Sequence, residues 1–309
     1  MPETYARRWI HAAKPASWPK LLVPFVLGQA LGTWNGLSLE ALAIGAAFTV
    51  LDLLFIVFLN DWGDREVDAI KRRMFPDGCS PKTIPDGILP AHHLLFAGLG
   101  AGALATALGF VGGAWLDRPW LGPGALGCLA LFAAYSLPPL RLNYRGGGEL
   151  LEMFGVGLAL PCLQAYLQGG DLTPPGSSLL FGFAAMGLAS AIASGLADER
   201  SDRRGGKRTF VTAFGNLAGR RAVEALAFVG ASAWALSGLF DPAVPLFVGA
   251  PAALLALGWV GALIARSGAA RTDAFAAQKH YKAALHHAIW RGAALASMLL
   301  VGWNLWPKP

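Results

Sequence analysis

Long apolar runs, interrupted at intervals by short charged segments, organise this chain. Nine stretches of roughly spanning length stand out, at residues 21–38, 42–60, 94–116, 121–138, 149–168, 177–197, 219–240, 244–265 and 285–306. Apolar runs of that length predict transmembrane helices, since only there does the backbone satisfy its own polar groups in lipid. The first run carries Pro24, Gly28 and Gly32 and follows the segment from Lys14 to Lys20, so it is expected to be tilted or broken. The predicted fold class is all-α, a polytopic membrane protein of about nine helices forming one unit over residues 1–309.

Composition supports that reading. With 55% hydrophobic residues, 14% charged residues and a mean hydropathy of +0.48, the 309-residue chain is too apolar for an ordinary soluble domain. Nine spans place 23 of its 25 Lys and Arg residues on one side, leaving only Arg118 and Lys308 opposite. The positive-inside rule makes the basic side cytoplasmic, and a wrong count of spans would scramble this asymmetry. The expected location is therefore the cytoplasmic membrane of a prokaryote, with lipid as the surrounding partner. The net charge of +6 then reflects topology and attraction for phosphate, and no nucleic-acid partner is expected. Cys79, Cys128 and Cys162 are odd in number and scattered, which predicts no disulfide framework. The start of the chain lacks a clean signal-peptide pattern.

Two acidic clusters sit where apolar runs meet basic loops: Asn60-Asp61-x-x-Asp64-x-x-x-Asp68 and Asp198-x-x-x-Asp202. On a continuing helix each set projects from one side, and carboxylates stacked this way repel unless a cation lies between them. Few carboxylates, completed by water and phosphate oxygens, suit Mg²⁺ on a diphosphate better than a closed protein cage. The loops that follow supply cations, with Arg65, Lys71, Arg72, Arg73 and Lys82 after the first cluster and Arg203, Arg204, Lys207 and Arg208 after the second. Such side chains bind phosphate and stabilise it as a leaving group. Asp52 is the one carboxylate well inside an apolar run, and an intramembrane acid faces a cavity or a partner.

These motifs, the second followed by Gly206-Lys207-Arg208-Thr209, resemble the UbiA superfamily of intramembrane prenyltransferases, and the similarity runs nearly the length of the chain. Tyr135-Ser136-Leu137-Pro138-Pro139 is similar to that family's Tyr-Ser-x-x-Pro stretch. Tyr144-Arg145-Gly146-Gly147-Gly148-Glu149 is similar to the Tyr-Arg-Gly-x-Gly-Glu stretch of the dihydroxynaphthoate branch, which makes menaquinone precursors. Ile70 to Pro81 delay the counterpart of the family's Arg-Pro-Ile-Pro-x-Gly segment, which reads Lys82-Thr83-Ile84-Pro85-Asp86-Gly87 here. Lys offers phosphate a point charge where Arg offers a fork.

The resemblance implies a helical ring around a central cavity roofed by the Asp-bearing loops. It also implies Mg²⁺-dependent transfer of a prenyl group from an isoprenoid diphosphate to an aromatic acceptor. In that reading Asp61, Asp64, Asp68, Asp198 and Asp202 hold metal, and Asn60, Arg65, Lys82, Lys207 and Arg208 hold the diphosphate. Tyr135 stabilises the allyl cation through its ring, and Asp52 and Glu149 are candidates for orienting or deprotonating the acceptor. An alternative is a membrane terpene cyclase that ionises the diphosphate without an acceptor. A transporter fits less well, because nearly all the acids sit at one face.

Overall fold

The computed structural model describes residues 4–307, and Lys308 lies outside them. The described residues are helical throughout, with no strand. A short helix α1 (Tyr5–Ala13) precedes α2 (Pro19–Gly32), whose 14 residues contain Pro24. Then come α3 (Leu39–Met74), α4 (Ala91–Trp115), α5 (Leu121–Ser136), the single turn α6 (Leu142–Arg145) and α7 (Gly148–Phe154). A π-turn over Gly155–Ala159 joins α7 to α8 (Leu160–Gly169). The remaining helices are α9 (Leu179–Gly195), α10 (Glu199–Arg204), α11 (Phe210–Phe240), α12 (Leu246–Ser267) and α13 (Phe275–Leu305).

All nine apolar runs are helical, but among the described residues only six helices are long and apolar enough to cross a membrane. Helices α5 and α9 are apolar and shorter, and α2 is the broken first run. The residues just after the second run are not loop, since the 36-residue α3 continues to Met74. At 1.5 Å per residue that is about 54 Å, well beyond a hydrocarbon core of about 30 Å. The first acidic cluster thus rides on a rigid helical extension.

Two apolar cores build the bundle. One gathers α9, α11, α12 and α13 around Trp234 and Tyr281; the other gathers α3, α4, α5 and α8 around Phe58, Leu59 and Leu94. Small residues bring backbones together where lipid supplies no hydrophobic drive. A Cβ at Gly182 of α9 would meet the Gly230 carbonyl of α11 at 2.5 Å, and one at Gly28 of α2 would meet the Pro161 carbonyl of α8 at 2.4 Å. Between the two cores a cavity remains, and α10 closes over it against α3.

Candidate active site

The rotation of α3 sorts its acidic residues. At about 100° per residue, Asp61 and Asp68 lie within about 20° of one another, whereas Asp64 is rotated about 60° away, toward the face shared by Asn60, Ile56 and Asp52. That second face lines a cavity of about 310 Å³. Asp64, Asp198, Asp202, Lys207, Lys14 and Lys20 stand around its polar end, and Leu53, Ile56, Val57, Leu131, Phe132 and Leu160 line the rest. The second cluster reaches it because α10 packs tightly on α3: a Cβ at Gly205 would meet Val67 Cγ2 at 2.5 Å. A turn at Gly206, with φ of +77°, then closes through the Lys207 amide donating to the Asp202 carbonyl at 2.9 Å and returns Lys207 to the cavity.

Lysines meet the carboxylates almost one to one. Lys207 Nζ lies 2.7 Å from Asp64 Oδ2 and 4.8 Å from the centre of the Tyr144 ring. Lys71 pairs with Asp198, Lys14 with Asp61, and Lys82 with Asp68 at 2.6 Å. Thr83 adds a 2.7 Å bond to Asp61 Oδ2, and Asp86 fixes the same loop by accepting from the Lys82 amide at 2.6 Å and from Arg72 Nε at 2.9 Å. The segment Lys82–Gly87 therefore covers Asp61 and Asp68.

Burial and charge set the protonation of the second cluster. Burial works against ionised Asp198, but Lys71 outweighs it and holds the carboxyl below its ordinary range. Asp202 is pushed up to about 7, first by burial and then by the charge of Asp198. Burial would lower Lys207, yet Asp64 and Asp202 carry it above the ordinary lysine range. Asp202 is thus a carboxylate short of positive charge, and a divalent cation would relieve it. Among the described residues no three His, Cys, Asp or Glu side chains group closely enough to hold a metal. The oxygens of Asp64, Asp198 and Asp202 around one cavity fit instead a hard cation that takes part of its shell from phosphate and water.

The other residues singled out in the sequence divide in the same way. Tyr135 lines the cavity, stacked on Phe132 with ring centres 6.0 Å apart, and Asn60 lines it with its amide 3.4 Å from Ser136 Oγ. Glu149 lines it too, but its Oε1 accepts from the Phe210 amide at 2.6 Å, an N-terminal cap for α11 that occupies the carboxylate. Arg65 does not reach the cavity; one residue on from Asp64 and rotated about 100°, it donates to the Trp62 carbonyl at 2.6 Å and lies over the Trp62 ring. Arg208 is exposed, and only its amide is engaged, with the Tyr144 carbonyl at 3.1 Å. Asp61 and Asp68 sit under the covering loop, and Lys82 belongs to that loop; none of the three is on the cavity wall.

Sequence reasoning missed Lys14, Lys20 and Phe132. Both lysines flank the Pro-rich entry to α2, and Lys20 reaches Glu152 at 2.5 Å. Nothing local to Lys14 announces a partner 47 positions away. Phe132 had a signal, one turn before Tyr135 on an apolar helix.

The chain is 28% identical over 212 residues to the chloroplast chlorophyll synthase of Oryza sativa subsp. japonica, covering 67% of this chain and 54% of that one. It thus spans about half the length of that relative. Against the 1,4-dihydroxy-2-naphthoate octaprenyltransferase of Escherichia coli it is 27% identical over 232 residues, 69% of this chain and 70% of the relative. Its fold is similar to a UbiA homolog from Archaeoglobus fulgidus bound to DMAPP and Mg²⁺, with a TM-score of 0.68, 17% identity and coverage of 91% and 99%. The apo UbiA homolog from Aeropyrum pernix K1 gives a TM-score of 0.70 at 14% identity, over 91% and 97% of the two chains. The UbiA prenyltransferase family matches residues 21–305, nearly the whole chain, and the protein belongs to that family.

Proposed function

We propose that this protein transfers a prenyl group from an isoprenoid diphosphate to an aromatic acceptor of the dihydroxynaphthoate type within the membrane. One observation carries the reading: a single cavity joins a mouth of carboxylates and lysines to an apolar and aromatic throat, the polarity profile of a prenyl diphosphate. A relative named for dihydroxynaphthoate prenylation supports an aromatic acceptor, and proteins of this fold bound to DMAPP, or to GPP, with Mg²⁺ support the donor.

In this reading the diphosphate lies at the mouth, where Lys207 and Lys14 exchange carboxylate for phosphate oxygens. Asp64, Asp198 and Asp202 would hold Mg²⁺, which would supply further positive charge to the diphosphate. Positive charge aimed at the bridging oxygen favours the state in which the C1–O bond has broken and both its electrons have left with pyrophosphate. The allyl cation then faces the rings of Tyr135 and Phe132, whose π-faces attract positive charge. An electron-rich ring carbon of the acceptor forms the new bond to C1; where that carbon bears hydrogen the proton passes to pyrophosphate, the most basic group left nearby, and where it bears the carboxylate CO2 leaves and its bonding pair returns to the ring, giving the naphthoquinol. The apolar walls limit the water that would otherwise capture the cation. Asp61 and Asp68 serve the site indirectly, fixing the loop that covers it. One unit on the cytoplasmic side of the membrane carries these steps.

The test is to incubate purified protein with Mg²⁺ and geranylgeranyl diphosphate, with and without 1,4-dihydroxy-2-naphthoate, and to identify products by mass spectrometry. A prenylated naphthoquinol formed only with acceptor supports the proposal. Pyrophosphate with a cyclised hydrocarbon, formed without acceptor, would replace it with terpene cyclisation.

A further inference from the structure

Several polar side chains packed inside this bundle are held by partners. Gln164 of α8 donates to Thr49 Oγ1 at 3.1 Å and to the Gly45 carbonyl at 3.3 Å, and accepts from Gln29 at 2.8 Å. Buried Arg220 is held by Asn216 at 2.9 Å and by the Ser267 hydroxyl at 2.8 Å. Asp52, less than one turn after Thr49 on α3, departs from this pattern. It is 3% exposed, its Oδ1 meets no donor, and among the described residues no hydrogen bond reaches either of its oxygens. The side chain lines the cavity, on the stripe that continues through Ile56 and Asn60 to Asp64.

Its depth restricts what it can serve. Twelve residues separate Asp52 from Asp64, about 18 Å along the helix, with Leu53, Ile56 and Cys128 around it. The reacting C1 carbon is bonded to the diphosphate and stays near Asp64 and Lys207, beyond the reach of Asp52. A hydrocarbon tail carries no donor and leaves a buried carboxyl unsatisfied. The remaining ligand is the acceptor substrate.

We propose that Asp52 is a specificity residue at the floor of the cavity, binding a hydrogen-bond-donating hydroxyl of the aromatic acceptor. The inference rests on the prenyl-transfer reading and deepens it. A ring tethered at Asp52 by one hydroxyl, with Phe132 and Tyr135 on the way to the mouth, presents a fixed edge to the allyl cation. Asp52 thereby selects hydroxylated acceptors and sets which ring carbon reacts, without touching the reacting atoms.

The experiment measures KM and kcat for acceptor and donor in the wild type, Asp52→Leu and Asp52→Asn, with melting temperature as a check on folding. The acceptors are 1,4-dihydroxy-2-naphthoate and its 1-methyl and 4-methyl ethers; the donor is geranylgeranyl diphosphate. The wild type is expected to disfavour one methyl ether by about tenfold or more, as a site built around a hydroxyl rejects its analogue. Asp52→Leu should raise the KM of the dihydroxy compound to that level, erase the discrimination, and leave the donor KM within about twofold of wild type. Asp52→Asn, which keeps an acceptor oxygen, should fall between them. An unchanged acceptor KM in a folded Asp52→Leu, an equal rise in both KM values, or equal use of all three acceptors by the wild type would overturn the assignment. If Asp52→Leu does not fold, Asp52→Asn and the wild-type preference decide. Wild-type protein that prenylates none of the acceptors overturns the prenyl-transfer reading itself, whereas prenylation with no effect at Asp52 overturns this inference alone.

Discussion

Asp64, Asp198, Asp202 and Lys207 are the side chains whose removal tests the site at the residue scale. Asp64→Ala or Asp198→Ala should lower kcat/KM by at least about a hundredfold while the helical circular dichroism persists, because each removes a carboxylate that would hold the cation whose charge acts on the diphosphate. Lys207→Met should act in the same direction more weakly, raising the KM for diphosphate. Asp61→Ala should instead lower the melting temperature, since it strips Lys14 and Thr83 of a shared buried partner. Asp86 gives a pH-dependent expectation. The Lys82 amide holds its carboxyl below the ordinary range, with Arg72 adding to the effect. A lowered folded-state value contributes stability above the unfolded value near 4, and that contribution disappears as pH falls through the folded value. The gap in melting temperature between wild type and Asp86→Asn should therefore be full at pH 6 and shrink toward pH 3. At this scale the acidic spacing was legible because helical rotation is a local property. What local reasoning could not supply was partnership across the chain: Lys14 arrives from the turn that follows α1, the Lys82–Gly87 loop covers Asp61 and Asp68, and Arg65 is turned away by its own helix.

The elements matter through how they hold the two acidic clusters together. Gln278 of α13 donates to the Leu196 carbonyl at 3.1 Å and the Arg271 carbonyl at 2.8 Å, just ahead of Asp198. Thr272 reaches Glu199 at 2.7 Å, Arg200 reaches Asp273 at 2.5 Å, and Phe275 packs edge-on against Phe75 with ring centres 5.0 Å apart. The connection between α12 and α13 therefore clasps α10 and the end of α3 at once. Gln278→Leu removes the side-chain donor to the buried Leu196 carbonyl, a loss of about 1–3 kcal/mol. It should lower the melting temperature and raise the KM for diphosphate, with chemistry at saturation less affected. None of this was readable in the sequence, where residues 266–284 show only a basic loop. The 36-residue length of α3 was half legible: the apolar run showed the span, and the acidic spacing implied that the helix continued, yet the apolar run itself stops at residue 60.

On the scale of the whole molecule, the all-helical membrane class followed from composition and from runs long enough to span. The number of runs was harder to convert into spans, because Pro24 shortens α2 and because α5 and α9 remain short. Two packed cores leave one cavity between them, and its axis carries charge at one end and apolar walls toward the other. The central claim is that this axis ionises an isoprenoid diphosphate and directs the cation to an acceptor. It is tested most directly by pyrophosphate release from geranylgeranyl diphosphate and 1,4-dihydroxy-2-naphthoate, comparing wild type with Asp198→Ala in Mg²⁺ and after chelation. Release by the wild type that requires Mg²⁺ and acceptor, stops on chelation, returns with added Mg²⁺ and is absent in Asp198→Ala is the predicted result. Equal release by the two proteins, or release unaffected by chelation, would contradict it.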